Sequence, residues 1–202
     1  MPNGDKIKKT AIDDFIVMSA LTDLPRNTHK SIPFQFPSEN VCYPMSKTPS
    51  ALRQALALAG FIVVTFCAPL LGIFSKPDLW YEALNKPAWN PPGWIFGPVW
   101  SLLYLLMAVA AWLVWRRVGW QKALMFYFIQ LALNAAWTPI FFGAHEMGWA
   151  LAEIILMWLA ILLTMRAFFQ VSKPAGWMLV PYLAWVTFAA FLNFTLWRMN
   201  PA

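Results

Sequence analysis

The side chains of this chain that could do chemistry are a few polar and aromatic residues at helical spacing inside long apolar segments. Residues three or four positions apart lie on one face of a helix. Three sets have this spacing: Trp100 with Tyr104, Asn134 with Trp137, and Trp185 with Ala189 and Asn193. If these faces converge, they enclose a cavity with tryptophan walls and a few hydrogen-bonding groups. Such a cavity suits a large, flat, mostly apolar ligand such as a porphyrin, a sterol or a carotenoid.

A fourth pair, Trp149 and Glu153, has the same spacing, and Glu153 is the only acid well inside an apolar segment. Its carboxylate is expected either to reach the membrane interface or to line the cavity. The mid-segment tryptophans Trp100, Trp158 and Trp185 are as consistent with ordinary core packing as with a ligand site. Tryptophans near segment ends are expected to be interface anchors: Trp94, Trp112, Trp115, Trp120, Trp177 and Trp197.

No constellation typical of a catalytic or metal site is found in the sequence. It lacks a nucleophile–base pair with an orienting acid, a phosphate-binding glycine loop and a carboxylate pair. The two histidines, His29 and His145, and the two cysteines, Cys42 and Cys67, have no metal-ligand spacing. We therefore predict no metal site and no required cofactor. Asn134 is also open to a plain role in bonding a neighbouring helix.

The composition indicates the solvent in which such a cavity must form. Of the 202 residues, 60% are apolar and 12% are charged, whereas soluble domains carry about 25% charged residues. Too few polar groups remain to cover a water-soluble globule, which excludes an ordinary soluble enzyme. The basic residues are scattered rather than clustered, which argues against a nucleic-acid partner. The predicted environment is a lipid bilayer.

Five apolar segments are long enough, or nearly so, to cross a hydrocarbon layer of about 30 Å at about 1.5 Å per residue. Because backbone groups in lipid must pair internally, segments of this length and composition are expected to be helices. We predict an all-α membrane protein, a bundle of five transmembrane helices. The approximate spans are 54–74, 94–115, 123–142, 148–165 and 176–197.

The link between the first two segments, residues 75–93, is long and rich in proline. It begins with a helix-cap pattern at 75–78, continues as a short amphipathic helix over 79–84 and ends in a proline-rich stretch over 86–92. A long ordered link in a compact bundle is expected to act as a lid over one mouth.

The N-terminal part differs in character from the membrane domain. Residues 1–44 mix charged residues, proline and serine without a period, and are predicted to be a disordered extension. Met45 is expected to be the start of the native protein, so that residues 45–202 form the membrane domain. Basic residues favour the N-terminal side of the bundle by seven to three, which predicts a cytoplasmic N-terminus and an outward-facing loop in a bacterial inner membrane.

Five sequence blocks carry a family resemblance: Trp80–Trp94, Gly97–Trp100 with Tyr104, Asn134 with Trp137–Gly143, Met147–Leu151, and Pro181–Trp185. In order and spacing they closely resemble the tryptophan-rich sensory protein and translocator protein (TspO/MBR) family, whose mitochondrial members were once called peripheral-type benzodiazepine receptors. The resemblance extends from about Gln54 to Asn200.

The resemblance implies a five-helix fold, usually dimeric, with a pocket closed by the first loop. It also implies porphyrins, haem precursors, sterols or isoquinoline-type drugs as ligands. Trp100 and Trp185 correspond to tryptophans implicated in porphyrin binding and in light-dependent porphyrin breakdown, and they are the catalytic candidates if porphyrin is degraded. In the loop, Trp89 is expected to exclude water. The other positions that match pocket residues are Phe96, Tyr104, Asn134, Trp137, Trp149 and Ala189.

One departure from the family bears on the ligand. Animal members have a tyrosine in their sterol-recognition element, where this chain has Phe194, although Arg198 is retained. The missing hydroxyl argues against high-affinity sterol binding. The resemblance favours a homodimeric receptor or sensor that binds porphyrins and modulates tetrapyrrole transport, turnover or signalling in a bacterial cell-envelope membrane, inner or outer. The alternatives are a light- and oxygen-dependent porphyrin-degrading enzyme and a sterol or porphyrin transporter.

Overall fold

The computed structural model describes residues 50–75 and 77–201. The predicted extension over residues 1–44 and the predicted start at Met45 lie outside the described residues. Within these residues the chain is helical and contains no strand. The α-helices are α1 (Ala51–Cys67), α2 (Leu79–Ala83), α3 (Phe96–Val118), α4 (Lys122–Thr138), α5 (Met147–Val171), α6 (Lys173–Met178) and α7 (Val180–Met199).

Five helical stretches of the described chain are long and apolar enough to cross a membrane, which confirms the predicted all-α class with five spans. The fourth span continues to Val171 rather than ending near residue 165, and the fifth begins at Lys173 because α6 and α7 follow each other almost without a break. The chain is therefore a multi-pass integral membrane protein. The observed spans are Ala51–Leu70, Gly93–Val118, Lys122–Gly143, Met147–Val171 and Lys173–Met199.

Local sequence determines where several helices begin and end. Asp78 caps α2, because its Oδ1 accepts a hydrogen bond of 3.2 Å from the backbone N–H of Tyr81. The short helix therefore begins at Leu79, as predicted, and ends at Ala83, one residue before the predicted end. Gly119 ends α3 at φ +69°, in the left-handed region that favours glycine. Pro181 is the second residue of α7, where its missing N–H removes no helical hydrogen bond.

A close approach between the first and third spans builds one wall of the candidate site. The 3₁₀ helix Ala68–Phe74 packs against α4, and a Cβ at Gly72 would lie 2.8 Å from Cγ2 of Thr138. Glycine is needed here because any side chain would push the two elements apart. Pro139 follows at once and opens the π-helix Pro139–Gly143, as expected where proline interrupts the α-helical hydrogen bonding.

The centre of the bundle is formed by α5, which packs against α4 on one side and α7 on the other, while α1 packs against α3. Small side chains at these contacts are fully buried, among them Ala108, Ala111 and Ala150. In lipid, small residues let helix backbones approach closely and gain van der Waals contact. This packing brings the polar and aromatic faces of the second, third and fifth spans toward one another.

Candidate ligand-binding pocket

A cavity of about 290 Å³, here called the main cavity, lies between the second to fifth spans and the loop over residues 75–93. Aromatic and aliphatic side chains form most of its wall, and Pro77, Tyr81 and Gly93 of the loop complete it. A concave, largely apolar space with a few polar groups is typical of a small-molecule site. Its span residues are Phe96, Trp100, Trp137, Thr138, Phe141, Phe142, Ile154, Met157, Trp185, Val186, Ala189, Leu192, Asn193 and Leu196.

Seven of the nine predicted site residues lie at this cavity or beside it. Tyr104 and Asn134 line an adjoining cavity of about 230 Å³, which shares three aromatic walls with the main one. The faces that the helical spacing indicated on the second, third and fifth spans therefore meet at these two cavities. The five predicted residues that line the main cavity are Phe96, Trp100, Trp137, Trp185 and Ala189.

The indole rings of Trp100 and Trp185 each pack against aromatic neighbours. Trp100 stacks on Tyr104 with ring centroids 5.4 Å apart and meets Tyr182 edge-on at 6.1 Å. Trp185 meets Phe96 edge-on at 5.8 Å. These are the offset and edge-to-face arrangements that aromatic pairs prefer. The tryptophan walls are therefore fixed by their own packing.

Three polar atoms on the wall of the main cavity have no hydrogen-bond partner among the described residues: Nε1 of Trp137, Nε1 of Trp185 and Oδ1 of Asn193. An unsatisfied buried polar group costs about 1–3 kcal/mol, and native proteins keep few of them. The other half of the Asn193 amide is used, since Nδ2 donates to the carbonyl of Met147 at 3.0 Å. Two indole donors and one amide acceptor are thus available to a ligand with complementary groups.

A buried polar network ties three spans together beneath the aromatic wall. The Tyr104 hydroxyl donates to Oδ1 of Asn134 at 2.8 Å. Nδ2 of Asn134 donates to the Tyr182 hydroxyl at 3.1 Å, which in turn donates to Oε1 of Gln130 at 3.0 Å. Asn134 therefore forms hydrogen bonds to neighbouring helices, which is the structural role that the sequence left open, and it also lines the adjoining cavity. Both of its amide atoms are satisfied.

Aromatic rings hold the loop against the bundle beside the main cavity. Tyr81 of α2 meets Phe142 edge-on at 5.2 Å, and burial raises the pKa of its phenol. Trp89 lies outside both cavities and is 43% exposed, with its ring stacked on Phe191 of α7 at 5.3 Å. The loop therefore rests on the third and fifth spans through ring contacts.

Polar contacts hold the same loop at two further points. The backbone N–H of Asn85 donates to Oδ1 of Asn200 at 2.8 Å, and Nδ2 of Asn200 donates to the Asn85 carbonyl at 3.0 Å. At the other end of the loop, Oδ2 of Asp78 lies 3.2 Å from Nε2 of His145. The hydrogen bond from the Tyr81 N–H, together with His145, holds the pKa of Asp78 below its ordinary value. The loop is thus pinned to the start of the fourth span and to the end of the fifth.

A model of the TspO/MBR family matches residues 55–198, which include the cavity, the loop and most of every span. The chain belongs to the TspO/MBR family. This confirms the resemblance carried by the five sequence blocks.

Relatives of the chain are found in bacteria and in mammals. A tryptophan-rich sensory protein of Cereibacter sphaeroides is 51% identical over 129 residues, which cover 64% of this chain and 82% of the relative. The tryptophan-rich protein TspO of Chlorobaculum tepidum is 47% identical over 74% of this chain and 99% of its own length. The translocator protein of Homo sapiens is 48% identical over 66% of this chain and 86% of its own length. These names are those of sensory and translocator proteins of the TspO/MBR family.

The fourth span of this TspO/MBR chain departs from the helical-face prediction. Trp149 is 71% exposed and lies outside both cavities, although Glu153 is 8% exposed. The buried face of α5 includes Ala150 and Met157, and Trp149 lies about 100° from Ala150 around the helix. Glu153 neither reaches the interface nor lines a cavity, and neither of its carboxylate oxygens has a described hydrogen-bond partner. Both expectations for Glu153 are therefore wrong.

Several cavity residues were not among the predicted site. Phe141 and Phe142 belong to the Trp137–Gly143 block, so a signal for them was present in the sequence. Asn193 was not among the nine site residues, but it lies on the face of the fifth span that was expected to enclose the cavity, and it lines the main cavity. Nothing in the sequence distinguishes Ile154 and Met157 from the other aliphatic residues of α5. Their position on the cavity wall follows only from the packing of α5 against its neighbours.

Proposed function

We propose that the protein is a membrane receptor that binds porphyrins and related flat, apolar ligands in the main cavity and thereby modulates tetrapyrrole transport, turnover or signalling. The observation that carries this proposal is the aromatic wall with two indole N–H groups, of Trp137 and Trp185, that have no described partner. A macrocycle offers a flat face for stacking and polar substituents for these donors. Its affinity would come mainly from the rings, at about 0.5–1.5 kcal/mol for each aromatic contact beyond burial.

The size of the site supports a ligand that uses more than the main cavity. Small-molecule pockets hold about 300–1,000 Å³, and the main cavity, at about 290 Å³, lies at the lower limit. We expect a full porphyrin ring to extend into the adjoining cavity lined by Tyr104 and Asn134, or to displace the loop. A sterol fits this proposal less well, because the fifth span carries Phe194 in place of the tyrosine hydroxyl.

A titration with protoporphyrin IX, followed by tryptophan fluorescence, tests the site assignment. We expect the Trp100→Phe/Trp185→Phe double variant to bind several-fold more weakly, because both rings lie on the cavity wall. The matched control is Trp177→Phe, which removes a tryptophan that is 65% exposed and outside the cavity. Equal dissociation constants for the double variant and the control would refute the assignment.

A light- and oxygen-dependent porphyrin-degrading enzyme is the second candidate. It is favoured by the position of Trp100 and Trp185 on two different helices that line one cavity, where both rings would contact a bound macrocycle. The test is product formation under illumination. Turnover beyond one equivalent per protein supports an enzyme, whereas a single bleaching of bound ligand supports a receptor alone.

We propose in addition that the protein is a homodimer of a bacterial envelope membrane. Membership of the TspO/MBR family supports the homodimer, and the bacterial relatives support a bacterial membrane. The mammalian relatives leave a mammalian membrane as the alternative. Chemical crosslinking in native membranes tests the dimer, and fractionation of the producing cells tests the membrane. A monomer in both detergent and membrane would contradict the first part.

A further inference from the structure

The end of the bundle away from the loop carries a concentration of positive charge. The bases come from the start of α1, the end of α3, the start of α4, the end of α5 and the start of α6. The four acids of the described chain lie elsewhere: Asp78, Glu82 and Glu146 at the loop end, and Glu153 within α5. The basic residues at this end are Arg53, Arg116, Arg117, Lys122, Arg166 and Lys173.

Contacts between α1 and α3 bring two of these arginines to the same junction of two helices. Nε1 of Trp112 donates to the carbonyl of Gln54 at 3.1 Å, which joins the start of α1 to the end of α3. The Arg116 guanidinium lies 4.7 Å from the centre of the Trp112 ring, and that of Arg53 lies 6.0 Å from the Trp115 ring. Cation–π contacts of this kind orient a guanidinium without neutralising it. We call this arrangement of Arg53, Trp112, Trp115 and Arg116 the α1–α3 seam.

Among the described residues, no carboxylate forms an ion pair with either guanidinium of the seam. The ion pair found within the described chain joins Asp78 to His145, at the loop end of the bundle. Arg53 is exposed and Arg116 is partly exposed, so both guanidinium groups are accessible from the membrane surface. A guanidinium presents several N–H donors in a fixed plane, the geometry that suits a phosphate group.

The seam also lies at the depth of the lipid headgroups. Two exposed tryptophans at the same end, Trp120 at 69% and Trp177 at 65% exposure, are typical of the membrane–water boundary. Toward the bilayer centre, α1 exposes Leu56 at 64% and Val63 at 62%. An acyl chain can lie along this apolar face while its headgroup reaches the arginines.

We propose that the α1–α3 seam binds the phosphate of an anionic phospholipid from the leaflet at this end of the bundle. Charge complementarity, headgroup depth and the adjacent apolar face of α1 together select a lipid. Free phosphate lacks the acyl chain that the face of α1 would hold.

The test compares phosphatidylglycerol with phosphatidylcholine, titrated into the purified full chain in detergent and counted by native mass spectrometry. A basic residue near an anionic membrane surface contributes about a fivefold gain in affinity, so the Arg53→Gln/Arg116→Gln variant should lose about 30-fold for phosphatidylglycerol and little for phosphatidylcholine. Arg198→Gln, at the loop end, is the matched control and should leave both affinities unchanged. Raising the salt concentration should weaken phosphatidylglycerol binding by the unmodified chain, which keeps the test valid if the double variant folds poorly.

Three results would overturn the proposal. The first is a wild-type chain that prefers phosphatidylglycerol no more than phosphatidylcholine, which would mean that the seam is covered by another part of the chain or takes no lipid. The second is a double variant that folds and keeps its preference. The third is displacement of phosphatidylglycerol by millimolar inorganic phosphate, which would identify a site for free phosphate instead.

Discussion

Replacing Asn134 by leucine tests whether the buried polar network stabilises the bundle. The Asn134 side chain is 6% exposed and bonds the hydroxyl groups of Tyr104 and Tyr182. Leucine has a similar volume but bonds neither hydroxyl. Tyr182 keeps Gln130 as a partner, so the Tyr104 hydroxyl is the group left without a partner.

The magnitude follows from these contacts. Interhelical hydrogen bonds in membranes contribute about 0.6 kcal/mol on average and at most about 1.7 kcal/mol, and an orphaned buried hydroxyl costs about 1–3 kcal/mol. We expect Asn134→Leu to lower the free energy of unfolding by about 1–3 kcal/mol. Because Tyr104 stacks on Trp100 of the cavity wall, the variant should also bind protoporphyrin IX more weakly.

A double-mutant cycle with Tyr104→Phe isolates the hydrogen bond. Unfolding in mixed micelles is measured for both single variants and for the pair. We expect the pair to be less destabilised than the sum of the singles, by about 0.6–1.7 kcal/mol, because phenylalanine removes the hydroxyl that leucine orphans. Ser101→Ala is the control, since Ser101 is exposed and bonds only within its own helix. Additivity within about 0.3–0.5 kcal/mol would refute a coupled network.

Two further predictions concern the loop and the close helix approach. Because the Tyr81 N–H and His145 lower the pKa of Asp78, its carboxylate anchors the loop at neutral pH and loses this contribution as the pH falls through that lowered pKa. The rate of ligand dissociation should therefore increase below that pH in the unmodified chain. In the Asp78→Asn variant, dissociation should already be fast at pH 7 and should show no such increase. Equal pH profiles for the two proteins would contradict this role of Asp78. Gly72→Ala places a Cβ 2.8 Å from a threonine side chain and should cost about 1–3 kcal/mol of unfolding free energy. Gly60→Ala, with nothing within 4 Å of its Cβ, should be neutral or stabilising, and a similar loss in both variants would contradict the packing argument.

The membrane class and the five spans were predictable because each depends on local composition. A helix of about 20 apolar residues satisfies its own backbone hydrogen bonds in lipid, whatever its neighbours are. The family was predictable for a similar reason, since the five blocks are contiguous stretches of chain whose order and spacing are properties of the sequence. The structure and the family match confirm both.

The site was predictable only in part. The period of 3.6 residues identified which residues share a face, and for Trp100, Trp137 and Trp185 that face turned inward. The same period could not indicate that Trp149 would lie at the edge of the buried face of α5, where it is 71% exposed. Which part of a helix is covered depends on how its neighbours cross it, and crossing angles are set by packing between spans.

The sequence by itself determined the solvent, the number of spans, the family and the candidate aromatic residues. The tertiary structure alone decided which of them meet, which indole N–H groups lack a partner, and how the loop is held. Its anchors join residues far apart in the chain: Asp78 and His145 are separated by 67 positions, and Asn85 and Asn200 by 115. Neither periodicity nor composition describes such pairs, because they form only when the spans have packed and brought the two ends of the loop to their partners.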